Sequence, residues 1–267
     1  MNHWIDNQEP VHPNLKVIVG LIFIGMIIAT LITLGSRSVL PEFQLFFGEI
    51  FIIVPAVTYI KFKKYNFRDV FRLYKVDKNV VLVSTVLAVS LTILSDEIDR
   101  IVSNFVEIPP EFEELISKML IADTFIEWIN LFVTAVILAG IIEEMLFRGL
   151  LQKALERKVE VPYAIFFSAL FFALVHLAPW LIQVLILGMI LGYLAWRSNS
   201  IFPSIILHCM NNAYALILTN VNPTNLKWYT WNGHVYPPIL ALAACITFYG
   251  FKWFFRSTDK EEDVHQY

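Results

Sequence analysis

Glu143 and Glu144 are neighbouring carboxylates near the end of a long apolar run, and Arg148 follows one helical turn later. A carboxylate in such a stretch is costly to bury, so its presence there points to function. On a helix, Glu144 and Arg148 are four residues apart and share a face, so the pair neutralises one carboxylate and anchors the helix. Glu143, rotated by about 100°, looks toward a neighbouring face beside Gly140 and is the freer base. On a later apolar segment Phe172 and His176 stand one turn apart, spaced for the ring to pack on the imidazole and orient it. A third segment projects His208 and Asn212 from one face, an imidazole and an amide suited to an anion, a metal or a carbonyl oxygen. A base, an imidazole able to hold water and an oxyanion-type pair are the parts needed to hydrolyse an amide. Taken singly, each motif also has a plainer reading: a structural Glu144–Arg148 pair, a satisfied core histidine, or a polar path for an ion or peptide.

The elements that must carry these residues follow from composition. Hydrophobic residues make up 57% of the 267, charged residues 16%, and mean hydropathy is +0.63, which sets the chain apart from globular proteins. Apolar runs of bilayer-spanning length fall at 15–34, 43–60, 80–94, 128–151, 161–177, 180–196, 201–219 and 237–255. The expected fold is all-α: a polytopic membrane protein, a bundle of about eight transmembrane helices enclosing a polar catalytic cavity. The chain reads as a single membrane domain over 1–267, with a catalytic core at about 128–219. A net charge of -3 makes no case for nucleic acid as a partner.

Lys and Arg set the expected orientation. They crowd the second connection (Lys61, Lys63, Lys64, Arg68, Arg72, Lys75 and Lys78), the fourth (Lys153, Arg157, Lys158) and the C-terminal tail (Arg256, Lys260). By the positive-inside rule these face the cytoplasm, as do both termini. The third connection carries Asp96, Glu97, Asp99, Glu107, Glu111, Glu113 and Glu114 against only Arg100 and Lys118, as an outer segment would. The first apolar run is too long for a signal-peptide core and is kept as a mature span. Phe67, Val70, Phe71 and Leu73 interleave with Arg68, Arg72 and Lys75, a pattern that suits a helix lying in the membrane surface or, more simply, a basic cytoplasmic loop. A second short surface helix is expected over 110–121, entered through Pro109-Pro110. Cys209 and Cys245 lie in separate spans, with no disulfide framework, and Cys209 reads as buried and inert.

Glu143-Glu144-x-x-x-Arg148, Phe172-x-x-x-His176 and His208-x-x-x-Asn212 together resemble the motif set of the CPBP family, the CAAX-protease and bacteriocin-processing membrane proteins. All three motifs match without substitution, over about a quarter of the chain. The resemblance implies an intramembrane endopeptidase acting on a peptide or protein substrate, such as a prenylated CaaX protein or a bacteriocin leader. It implies that Glu143 and His176 position and activate the attacking water, that Glu144 pairs with Arg148, and that His208 and Asn212 stabilise the oxyanion. The family has also been described as metalloproteases, and Glu143, His176 and His208 could supply three ligands to a catalytic zinc. No His-Glu-x-x-His helix is present, nor the Gly-x-Ser-Gly or Gly-x-Gly-Asp of other intramembrane proteases. The competing class is a non-enzymatic immunity or transport protein using the same polar cavity, although the two halves show no inverted repeat.

Depth tests the proposal, since groups acting on one bond must share a level in the bilayer. A turn near Val159-Glu160 puts Glu143 and His176 at equal heights, about sixteen residues away on either side. His208 is only about eight residues from the turn at Ser198-Asn199-Ser200, so the fourth helix is expected to protrude past Leu151 to bring it level. The site then opens toward the cytoplasmic half.

Overall fold

The structure is a computed structural model, and it describes residues 12–36, 40, 43–106, 109–110, 114, 119–176 and 181–259. Among them the helices are α1 (Leu15–Ser36), α2 (Gln44–Phe62), the single turn α3 (Phe67–Val70), α4 (Lys78–Ser103), α5 (Phe125–Glu156), α6 (Val161–Val175), α7 (Leu181–Ser198), α8 (Phe202–Asn220) and α9 (Pro237–Ser257). Six of these, α1, α2, α4, α5, α7 and α9, are long and apolar enough to cross a membrane. The fold is the expected all-α polytopic bundle. Ile27, Leu31 and Phe62 are 59%, 64% and 79% exposed, an apolar exterior that water would penalise and lipid accepts.

The eight apolar runs correspond one to one with helices, but their ends differ from the sequence reading. The third is not short: α4 has 26 residues and carries Asp96, Glu97, Asp99 and Arg100, expected in a connection, within its last turns. Those charges extend the helix because each of the main ones has a partner. Asp96 Oδ2 accepts from Arg100, Tyr214 and Tyr229 at 3.0, 3.1 and 2.8 Å. Glu97 accepts from Val235 N–H and pairs with His234 Nδ1, both at 2.8 Å. These last contacts dock a small hairpin, β1 (Thr230–Trp231) and β2 (His234–Val235), turned through Asn232 and Gly233 at positive φ.

The fourth run becomes α5, 32 residues, and it does protrude past Leu151 to Glu156. Thr124 and Glu127 form a reciprocal capping box at its start. Its hydrogen-bond pattern is not uniform: Phe132–Leu138 and Met145–Gln152 are π-helical and flank an ordinary α stretch, Ala139–Glu144. The fifth run is α6, only 15 residues, begun by Pro162 near its first position.

The basic second connection packs on the helical bundle. Val70 and Phe71 are fully buried, and the chain here rests on α5, where a Cβ on Gly149 would come within 2.7 Å of the Phe71 carbonyl oxygen. Arg72 goes inward with it because Glu156 at the end of α5 supplies an ion pair, and Lys153 donates to the carbonyl of Asp69. The surface helix expected over 110–121 lies largely outside the described residues, as does the Ala178-Pro179 joint.

Two apolar clusters fill the bundle. One joins Ile18 and Ile22 of α1, Ala56 and Ile60 of α2, Val70 and Phe71 with Leu146 and Leu150 of α5 and Phe172 of α6. The other joins Val83 and Leu87 of α4, Leu191 and Leu194 of α7, Leu207 of α8 and Phe254 of α9. Helices α5 and α8 meet between them. Both described chain ends lie at the same face: His12 shares a cavity with Arg157 and Lys158, and Arg197 pairs with Asp259.

Candidate active site

The α stretch Ala139–Glu144 presents both glutamates to the junction of α5, α6 and α8, and the structure gives them different surroundings. Glu144 is fully buried, its Oε1 receiving Arg148 Nη1 at 2.7 Å and His208 Nδ1 at 2.9 Å. Arg148 is sealed as well: it reaches the Gly188 carbonyl on α7 at 3.4 Å and lies over the Phe172 ring, 4.2 Å from its centroid. Gly188 makes room, since a Cβ there would press on Ala169 and Arg148. Small residues on α7 thus let the backbones close around a buried ion pair, a recurrent device of helices in lipid.

Glu143 points the other way. Its Oε2 is 3.6 Å from His176 Nε2 and 3.7 Å from His208 Nε2, and it has no hydrogen-bond partner among the described residues. Its side chain keeps 15% exposure and that of His176 34%, against 4% or less for His208, Glu144 and Arg148. The site therefore has an open side, formed by Glu143 and His176, and a sealed side behind it.

The histidines are held by their other nitrogens. His176 Nδ1 lies 2.7 Å from the Phe172 carbonyl oxygen, which can only accept, so Nδ1 carries the hydrogen and Nε2 keeps its lone pair. His208 Nδ1 likewise donates to a carboxylate, that of Glu144. Phe172 braces both rings, with centroids 4.4 Å from His176 and 5.8 Å from His208. With both imidazoles neutral, two nitrogen lone pairs and a carboxylate oxygen face one small volume with no donor between them. Acceptors so arranged call for a molecule that brings its own protons, and water is the simplest.

Of the sequence-derived residues, Glu143, Glu144, Arg148, His176 and His208 come together, and the packing of Phe172 on His176 is as expected. Asn212 is tied to α5: its Nδ2 donates to the Ala135 carbonyl at 2.9 Å, within the first π-helical run, where widened turns loosen the backbone ladder. His208 and Asn212 are thus not a free pair, since each is tied to α5 first. Glu143, His176 and His208 approach one another pairwise through Oε2 of Glu143. Among the described residues, no group of three His, Cys, Asp or Glu side chains is arranged to hold a metal ion. Cys209 is half-buried and turned against Gly140, away from the histidine pair.

Glu49 on α2 belongs to the same neighbourhood although no motif contains it. The cost argument that singles out Glu143 applies to it equally, because it is a carboxylate inside an apolar run.

Residues 122–214 match the family model described as Type II CAAX prenyl endopeptidase Rce1-like. The match takes in all seven motif residues and leaves α1 to α4 and α9 outside it. It agrees with the resemblance carried by the three motifs. No curated protein and no solved structure matches the chain.

Proposed function

We propose that this multi-pass membrane protein is an intramembrane endopeptidase of the CAAX type that hydrolyses a peptide bond with a water activated by Glu143. The observation that carries the reading is the unpartnered Oε2 of Glu143, set between Nε2 of His176 and Nε2 of His208 at 3.6 and 3.7 Å. The family match over the same segment supports it.

The chemistry follows from the fixed tautomers. A water between Glu143 and His176 donates one hydrogen to each, which leaves an oxygen lone pair free to attack. As that oxygen bonds to the substrate carbonyl carbon, its proton passes to Glu143, and the carbonyl oxygen becomes an oxyanion. Once Nε2 of His208 has taken up a proton from solvent water, the ring donates that hydrogen to the oxyanion while its Nδ1–H stays hydrogen-bonded to Glu144, so the Glu144–Arg148 pair fixes the electrostatic backing of the step. Asn212 spends one amide hydrogen on Ala135 and keeps a second for the same oxygen. Glu143 then returns its proton to the departing amine, the oxyanion collapses to a carbonyl as the C–N bond breaks, and a carboxylic acid and an amine leave, the acid losing its proton to solvent water.

Orientation follows the Lys and Arg distribution. The basic connections and both described chain ends share one face, read as cytoplasmic. The substrate is a membrane-associated peptide, with prenylated CaaX sequences the first class to try.

The test is cleavage of a farnesylated CaaX peptide by the purified protein, with the products identified by mass spectrometry. Release of the last three residues is expected from the unmutated protein and none from His176→Ala. Persistent cleavage in the His176→Ala protein sinks the mechanism. Activity lost to a chelator and restored by zinc would replace the metal-free step with a metal-assisted one.

A further inference from the structure

Glu49 is a carboxylate within the membrane-spanning helix α2, and its Oε2 is buried with no hydrogen-bond partner among the described residues. Its place on the helix can be read from its neighbours. Leu45, one turn earlier, packs against the cluster of Leu131, Val136 and Leu216. Ile52 and Ile53, one turn later, pack against the cluster that holds Ile142 and Met145. Glu49 lies on the same stripe between them, so it meets α5 at the level between Val136 and Ile142, next to the catalytic stretch. It is close enough to Glu143 for the two carboxylates to repel each other.

Two unpaired carboxyl acceptors in one part of a membrane interior are costly, and among the described residues no cation relieves Oε2 of Glu49 as Arg148 relieves Glu144. Relief comes from holding a proton or from a ligand that carries donors, and in either form the carboxyl group keeps an oxygen that accepts. A peptide bond can be hydrolysed only when the substrate chain is unwound around it, and unwinding inside a membrane strips backbone N–H groups of both helix partners and water. Such N–H groups are what Glu49 lacks.

We propose that Glu49 is a substrate-binding residue of the active site, accepting backbone N–H groups of the unwound peptide beside the bond that Glu143 hydrolyses. This rests on the endopeptidase reading above and extends the site to α2, beyond the segment the family model matches. Glu49 takes no part in the proton transfers; it holds the chain in the extended form that presents the carbonyl to the water.

The experiment measures kcat and KM for the farnesylated CaaX peptide with the unmutated protein, Glu49→Leu and Glu49→Gln. Loss of a hydrogen bond to this buried acceptor is expected to raise KM by about ten-fold, with kcat within about two-fold. Glu49→Gln keeps an acceptor oxygen and is expected between the two. If Glu49→Leu does not fold, Glu49→Gln decides alone, a several-fold rise in KM supporting the assignment. An unchanged KM in the folded variant overturns it, as does a loss confined to kcat. Equilibrium binding of the same peptide to Glu143→Gln, with and without Glu49→Leu, reads the contact without turnover; equal affinities again overturn it. No cleavage of the peptide by the unmutated protein brings down the endopeptidase reading, and this assignment with it.

Discussion

Helix α8 touches two polar clusters, one at His208 and one at Tyr214, and they are built on opposite principles. Around Tyr214, Asp96 takes Arg100 and two tyrosine hydroxyls and Glu97 takes His234 and the Val235 amide, while Oδ1 of neighbouring Asp99 has no partner among the described residues. Around His208 the sealed half ties Glu144 Oε1 to Arg148 and His208 but leaves its Oε2 without a partner among the described residues, and Glu143 beyond it has an empty acceptor as well. A polar group buried and satisfied holds helices in register; one buried and left unsatisfied costs stability and is kept for a ligand. The first cluster fastens the β1–β2 hairpin to α4 and α8, and the second is organised to act.

That contrast breaks most sharply at Glu143. Glu143→Ala is expected to lower turnover of the CaaX peptide by about a thousand-fold or more while the unfolding midpoint in detergent stays put. Equal losses of stability and turnover would make Glu143 structural after all. Next in size is the pair behind it: Glu144→Gln or Arg148→Met leaves an uncompensated partner in a sealed site and is expected to cost about 3–5 kcal/mol of stability, read from denaturant unfolding in detergent. Asn212→Ala should reduce kcat by about ten-fold, a partial effect because one of its two amide hydrogens is engaged with Ala135. Smallest, Tyr229→Phe removes one of three donors to Asp96 and is expected to cost about 1 kcal/mol of stability with turnover unchanged. A change in turnover from Tyr229→Phe would erase the distinction between the clusters.

The sequence makes the parts of the site that depend on a single helix legible. Glu144 with Arg148, and Phe172 with His176, are one-turn pairs, and helix geometry alone predicts that they touch. The pairing of Glu143 with His176 needed only the added premise that the turn near Val159 makes α5 and α6 antiparallel. What could not be read is set by docking between helices. His208 turns to Glu144 instead of forming a free pair with Asn212 because α8 packs closely on α5 at Gly140, a contact distance that no residue spacing encodes. The π-helical runs of α5 have no sequence signature, yet Asn212 is held by a carbonyl within one of them. The burial of Phe71 and Arg72 escaped for a related reason: their basic surroundings read as solvent-facing until Glu156 and Asp69 are seen to receive the charges. Glu49 was legible by the cost argument alone, without any motif.

The shortness of α6 bears on how a substrate arrives. Its 15 residues rise about 22 Å, well under the roughly 30 Å of a hydrocarbon core, and His176 stands at the end of it. A helix that short makes the surrounding lipid thin to meet it, at a cost of fractions of a kcal/mol for each ångström of mismatch. The bilayer is therefore expected to dimple beside His176, lowering the headgroup layer and its water toward the open side of the site. A lipid-anchored peptide sliding along the leaflet would meet the active site at that depression without having to cross the full thickness of the membrane.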